Sequence, residues 1–238
     1  MAQSNKQLKS FGLAIVFVAA VAMGGNHAAT AASADDSGTS ITRFPETLDK
    51  NCRRGRAKLF DECSDQLALF KAAQKRAKAE NKVLLVSFGA EWCIWCHVFD
   101  QYIHGGKTRF TYTFGTPDDP NVRETATLYE HEKTDVTADA SALKSYVSKS
   151  FVVAHIDAQF APNGWAILEK TGADRHYDGG LPYIFTVTSD GLFAAKFQPN
   201  RVETRRDGLW DWYRGYDRAG LTTHLSELHK AAVHPGNE

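Results

Sequence analysis

The sequence predicts an α/β domain, and three observations carry that prediction. Residues 83–88 (VLLVSF) and 151–156 (FVVAHI) are continuous apolar runs of strand length, the pattern of strands buried on both faces. Each run is preceded by a stretch of helical periodicity. A third strand, 183–187, is followed by the tight turn Ser189-Asp190-Gly191 and an antiparallel return over 192–197. The order is therefore helix, strand, helix, strand, helix, strand, hairpin strand, helix.

Residues 1–34 are expected to be a cleavable signal peptide. Lys6 and Lys9 form a positive start, 11–23 (FGLAIVFVAAVAM) is apolar but short for a bilayer, and Ala32-Ser33-Ala34 has the small-x-small form of a cleavage site. Ala29-Thr30-Ala31 competes with it. The expectation is a periplasmic or otherwise exported protein with no stable membrane insertion after cleavage. Residues 35–64 read as an N-terminal extension without a clean period, carrying Cys52 and Cys63. The main domain is expected over 65–238. Its first helix spans 65–81, with Leu67, Phe70, Ala73 and Ala77 on one face and Asn81 as a stop. The segment after the 83–88 strand continues as a helix through Tyr102. Residues 105–137, rich in Thr, Gly and Asp and containing Pro117 and Pro120, read as an insertion built mostly of loop, with a short helix possible over 122–133. Helices follow over 139–149, over 163–171 with Trp165 and Leu168 on one face, and over 221–233. Residues 200–218 are charged, rich in Trp and of no definite form.

Composition narrows the function classes. The 238 residues are 43% hydrophobic and 24% charged, with 28 basic against 28 acidic side chains. A chain with zero formal net charge has no large single-sign field to hold nucleic acid or an anionic membrane, so neither is an expected partner.

The four cysteines split into a wide pair, Cys52 and Cys63, and a tight pair, Cys93 and Cys96. In an oxidising compartment the wide pair is expected to form a structural disulfide. The tight pair opens a helix, so both sulfurs share one turn and come within bonding distance. Cys93 sits where unpaired backbone N–H groups and the helix dipole favour a thiolate, and Cys96 lies a turn deeper, where it can resolve a mixed disulfide. The pair is expected to have exposed surroundings. Three other chemistries share the spacing. Cys93-Ile94-Trp95-Cys96-His97 has the form of a c-type haem attachment, although a helix packed on a sheet leaves little room for a macrocycle. Four cysteines could hold zinc, although gaps of this size fit no usual site, and no metal is expected. A structural disulfide without turnover is the third.

The string VLLVSFGAEWCIWC resembles the strand, Trp-Cys-x-x-Cys and helix of the thioredoxin superfamily, and Gly180-Leu181-Pro182 ahead of a strand resembles that family's cis-proline loop. The resemblance is nearest to exported thiol:disulfide interchange proteins. It implies a thioredoxin-like α/β fold with an N-terminal extension and an insertion after the active-site helix. It also implies exchange with protein thiols and disulfides through Cys93 and Cys96, without a dissociable cofactor. A redox partner protein would regenerate the pair, and Pro182, Leu181 and Trp92 would position the substrate. Ser87 stands where thioredoxin has a buried proton-relay acid, and the inner dipeptide Ile94-Trp95 is unusually bulky. A different class remains open, a non-catalytic thioredoxin-like binding or chaperone module using 105–137 and the aromatic residues Trp210, Trp212, Tyr213 and Tyr216. These aromatics read first as a satellite core. His97 is expected on the helix surface, Glu91 in solvent, and Trp92 as a packing lid beside the pair.

Overall fold

The computed structural model describes residues 40–55, 57–106, 110–115, 123–128, 136–205 and 214–236. The expected signal peptide, Pro117 and Pro120, and the aromatic residues Trp210, Trp212 and Tyr213 lie outside them. Among the described residues no helix is long and apolar enough to cross a membrane.

Five strands form one sheet in the order β1-β5-β2-β6-β7: β1 Thr42–Phe44, β2 Val83–Gly89, β5 Phe151–Asp157, β6 Tyr183–Val187 and β7 Phe193–Lys196. β1 and β2 run parallel to β5, and β6 runs antiparallel to both β2 and β7. Every residue of β2, β5 and β6 is buried, as their apolar runs require. Helices cover both faces. On one, α1 (Gln66–Ala79) and α4 (Gly164–Thr171) bury Phe70, Ala73 and Ile167 against Leu84, Val86, Phe88, Val152 and Ile156. On the other, α2 (Ile94–Ile103), α3 (Val136–Ser150) and α5 (Arg218–Val233) bury Phe99, Leu143 and Leu225 against Leu85, Val153 and Ile184. Side chains alternate along a strand, so Leu85, Ser87 and Gly89 of β2 share the α2 face with Val153 and His155 of β5.

The helix ends follow local chemistry. Asp65 caps α1 by accepting from the Ala68 N–H at 2.9 Å, and Asp217 caps α5 by accepting from Gly220 at 2.6 Å. Asn81 ends the α1 turn at φ 52°. Buried Arg218 anchors the far end of α2: its guanidinium donates to the Tyr102 carbonyl at 3.2 Å and to that of Gly106, and lies 4.4 Å over the Tyr102 ring.

Three expectations are corrected. The 35–64 segment is not wholly outside the fold, because β1 is an edge strand of the sheet, in register from Thr42 beside Val152 to Phe44 beside Ala154. Three residues are too few to show a period. The insertion contains an antiparallel hairpin, β3 Phe110–Gly115 with β4 Arg123–Leu128, so the described part of 122–133 is strand rather than helix. RETATL contains helix formers, but Thr125 and Thr127 fall opposite Thr113 and Thr111, and β-branched residues at alternate positions favour the extended chain. The 200–218 region forms a second short hairpin, β8 Glu203–Arg205 with β9 Arg214–Tyr216. Tyr216 belongs to the main core, edge-on to Phe99 and Tyr102, and not to a satellite.

Cys52 and Cys63 are joined as a disulfide with Cα atoms 5.9 Å apart, the pairing expected of an even cysteine count in an oxidising compartment. The closed loop contains a 3-10 turn, Cys52–Gly55, and an Arg53–Glu62 ion pair at 3.1 Å. A Cys52→Ser, Cys63→Ser variant should lose about 3 kcal/mol of unfolding free energy, the chain-entropy value for a loop of this size. Denaturant melts of the two proteins measure it. Coincident curves would show that the loop is held by its other contacts alone.

Candidate active site

β2 ends at Gly89, the chain turns with the Cys93 N–H on the Ala90 carbonyl at 2.9 Å, and α2 begins. Cys93 is the N-cap of α2: its backbone is extended, and its Sγ accepts from the Cys96 N–H at 3.3 Å. The Cys96 N–H also meets the Cys93 carbonyl at 3.0 Å, and the positive end of the α2 dipole faces the sulfur, so negative charge on it is stabilised. Cys93 and Cys96 are joined as a disulfide, with Cα atoms 5.3 Å apart. Cys96 presses against the end of β2. A Cβ at Gly89 would lie 2.5 Å from the Cys96 Sγ and 2.9 Å from the Phe60 ring, so only glycine admits this approach.

The surroundings of the pair correct four more expectations. Cys93 is only 3% exposed and Cys96 is 0% exposed, where exposed surroundings were expected. The cover comes from Leu59 and Phe60 of the Cys52–Cys63 loop, with Trp95 and Leu181 packed beside them. Glu91 is not solvated. Its carboxylate accepts from three successive backbone N–H groups, Lys58 at 2.9 Å, Leu59 at 3.0 Å and Phe60 at 3.0 Å. His97 is buried rather than on the surface, with Nε2 2.7 Å from the Glu91 carbonyl and 3.5 Å from its carboxylate. The nitrogen that would ligate a haem iron is thus engaged within the protein. Burial holds the His97 imidazole below its usual range, against the opposing pull of Glu91. Trp92 remains 54% exposed, its indole N–H donating to the Gln159 side chain, so the lid is Leu59 and Phe60 and not Trp92. The Leu181–Pro182 bond is cis, as the sequence suggested, and Leu181 packs against the cysteines.

Beneath the pair lies a buried polar cluster that the sequence did not reveal. Ser87 faces α2 and is paired in register with His155 of β5. Asp100 stands one helical turn beyond Cys96. Its Oδ1 is 3.3 Å from His155 Nε2 and 3.2 Å from His104 Nδ1, and His104 Nδ1 also lies 2.8 Å from the Asp100 carbonyl. The His155 ring stands edge-on to Phe60 at 5.5 Å. Among the described residues, neither the Ser87 hydroxyl nor either His155 nitrogen meets a partner in hydrogen-bond geometry; the Asp100–His155 approach is an ion-pair distance without alignment. Burial pushes the Asp100 carboxyl up, but His104 and His155 outweigh it and hold the group far below the ordinary carboxylate range. Burial likewise pulls His104 down, and Asp100 more than reverses it. Buried groups with incomplete bonding and displaced titration under a reactive pair are typical of functional sites. The available signals were the two polar residues ending the 151–157 run and the i, i+4, i+8 spacing of Cys96, Asp100 and His104.

Asp100→Asn leaves the two imidazoles facing a neutral amide, and breaking a buried pair costs about 3 kcal/mol. A depressed carboxyl contributes stability above its unfolded value, about pH 4, and a raised histidine contributes fully below about pH 6.5 and less as pH rises. The stability gap between wild type and variant should therefore be widest between these values and narrow on both sides. Unfolding free energies measured across that range check it, and a gap independent of pH would contradict it.

No family model matches the chain, and a search of curated proteins finds no match. Among solved structures, the chain is similar to the disulphide isomerase from Xylella fastidiosa Temecula1, with 21% identity over 58% of this chain and 76% of that one, at a TM-score of 0.34. An overlap this loose transfers no activity. The chain's own topology decides the fold: in the order β1-β5-β2-β6-β7 only β6 runs antiparallel to the central strand β2, helices lie on both faces, and a Cys-x-x-Cys pair opens the helix that follows β2. The domain has a thioredoxin-like fold.

Proposed function

We propose that this chain is a thiol:disulfide oxidoreductase that exchanges disulfides with exported protein substrates through Cys93 and Cys96. The observation that carries the proposal is Cys93 at the N-cap of α2, its sulfur on the Cys96 N–H and bonded to a cysteine one turn deeper. In the reduced state the Cys93 thiolate attacks one sulfur of a substrate disulfide. A Cys93–substrate disulfide forms and the other substrate sulfur leaves as a thiolate. Cys96 then loses its proton toward the buried polar layer of Ser87, Asp100 and His155 beneath the helix. The Cys96 thiolate attacks the Cys93 sulfur, the Cys93–Cys96 bond forms, and the second substrate thiolate departs. Two electrons pass to the substrate, and the reverse sequence oxidises one. Leu181, packed beside the pair and joined to Pro182 by a cis bond, would position the substrate together with Pro182, and a redox partner protein restores the pair. The signal-like 1–34 segment supports export.

One observation favours the alternative of a non-catalytic binding module: both sulfurs are covered. The trapping experiment decides between them. Cys96→Ser should accumulate long-lived mixed disulfides with substrates, because the resolving thiol is gone, while Cys93→Ser should trap few or none; both are read on non-reducing gels with mass identification. No trapped species from either variant, with biological activity retained in both, would overturn the exchange proposal in favour of binding.

A further inference from the structure

The cover over Cys93 is a strap whose ends are fixed and whose middle is held by one side chain. The Cys52–Cys63 disulfide ties its two ends together. At its far end the Asp61 carboxylate accepts from the Cys63 and Ser64 N–H groups at 2.9 and 3.0 Å. The Gln66 amide donates to the Asp61 and Ser64 carbonyls, both at 2.9 Å, and accepts from the Asp157 N–H of β5, also at 2.9 Å. Between these anchors the backbone of Lys58, Leu59 and Phe60 turns three N–H groups onto the Glu91 carboxylate, which gathers them as an anion nest. Glu91 is two residues before Cys93 in the turn that leads into α2, so the latch and the sulfur it shields share one piece of chain. Leu59 and Phe60, thus held, pack on Cys93 and Cys96.

Disulfide exchange needs an incoming sulfur in line with the one it attacks. A substrate disulfide can reach Cys93 only by shifting the middle of this strap, and the work required grows with the width of what must enter. Resting on the exchange reading above, we propose that the Lys58–Leu59–Phe60 strap latched by Glu91 determines specificity, admitting disulfides in slender, extended polypeptide segments and excluding those within bulky or folded surfaces. Glu91 is a positioning residue in this scheme: it touches the strap and not the reacting sulfurs.

The test uses the full chain with Cys93 and Cys96 reduced. Cys93 modification is timed by peptide mass with iodoacetamide and with a maleimide carrying a bulky polymer, each rate divided by that of a free cysteine peptide. In wild type the bulky reagent should lag the small one after this correction. Glu91→Gln removes the charge from the latch, and losing even one charge-assisted bond should shrink the lag by roughly tenfold. Leu59→Ala opens the strap without touching the latch and should shrink it as well, which keeps the proposal open to test if either variant fails to fold. A general loosening of the fold would speed modification of other buried groups too, whereas unlatching changes only the size discrimination at Cys93. The same discrimination in wild type and in whichever variants fold, or none in wild type, overturns the strap while leaving exchange chemistry untouched. A Cys93 that reacts with neither reagent in any of the proteins would overturn both readings.

Discussion

The close approach of Cys96 to the backbone of β2 at Gly89 is the constraint on which the rest of the site depends. With no side chain at 89, the first turn of α2 lies directly on the end of the sheet, and the Cys96 sulfur meets the strand and the Phe60 ring together. That contact fixes the height of α2 over the sheet. It places Cys93 at the helix start with its sulfur on the Cys96 N–H, and it sets Asp100, one turn on, above His155. Arg218 holds the other end of the helix through the Tyr102 carbonyl and that of Gly106 just beyond it, so α2 is pinned at both termini and cannot slide without breaking one contact or the other.

Two opposed electrostatic environments meet at the pair. Above it, the Glu91 carboxylate is spent on three backbone donors of the strap and on His97, which keeps an anion next to Cys93 without leaving it unpaired. Below it, Asp100, His104, His155 and Ser87 form a polar layer inside an otherwise apolar interface. Such a layer costs stability relative to a fully packed core unless it is fully bonded, and the unaligned His155 nitrogens show that it is not. A fold that keeps this layer directly under a reducible sulfur pair retains groups able to move a proton where the solvent does not reach.

Much of this architecture is legible in the sequence, because its signals are local. The runs 83–88, 151–156 and 183–187 can only be buried strands, and a Cys-x-x-Cys after the first of them falls at a helix start. What was not legible depends on distant partners. Glu91 reads as a surface acid until the backbone of Lys58 to Phe60, more than thirty residues away, is brought to it. His97 and Arg218 are polar residues whose burial follows from tertiary contacts and not from any period. β1 is three residues long and joins the sheet only because β5 offers an open edge. The 122–133 segment reads as loop or at most a short helix, and pairing with β3 makes 123–128 a strand. Ser87 marked a missing acid, and the spacing of Cys96, Asp100 and His104 is visible in the sequence, but that His155 of β5 lies against Asp100 follows only from the packing of α2 on the sheet.

The central claim is that Cys93–Cys96 is a working redox pair and Cys52–Cys63 a fixed cross-link. Equilibration of the full chain in graded mixtures of reduced and oxidised glutathione, followed by acid quenching, alkylation and peptide mass analysis, reads the state of each cysteine separately. The α2 N-terminus stabilises a reduced Cys93, whereas Cys52 opens only a four-residue 3-10 turn and Cys63 caps no described helix, so Cys93 and Cys96 should convert together within the glutathione range while Cys52 and Cys63 stay joined. Cys93–Cys96 remaining closed across the whole range, or both disulfides opening together, would contradict the account.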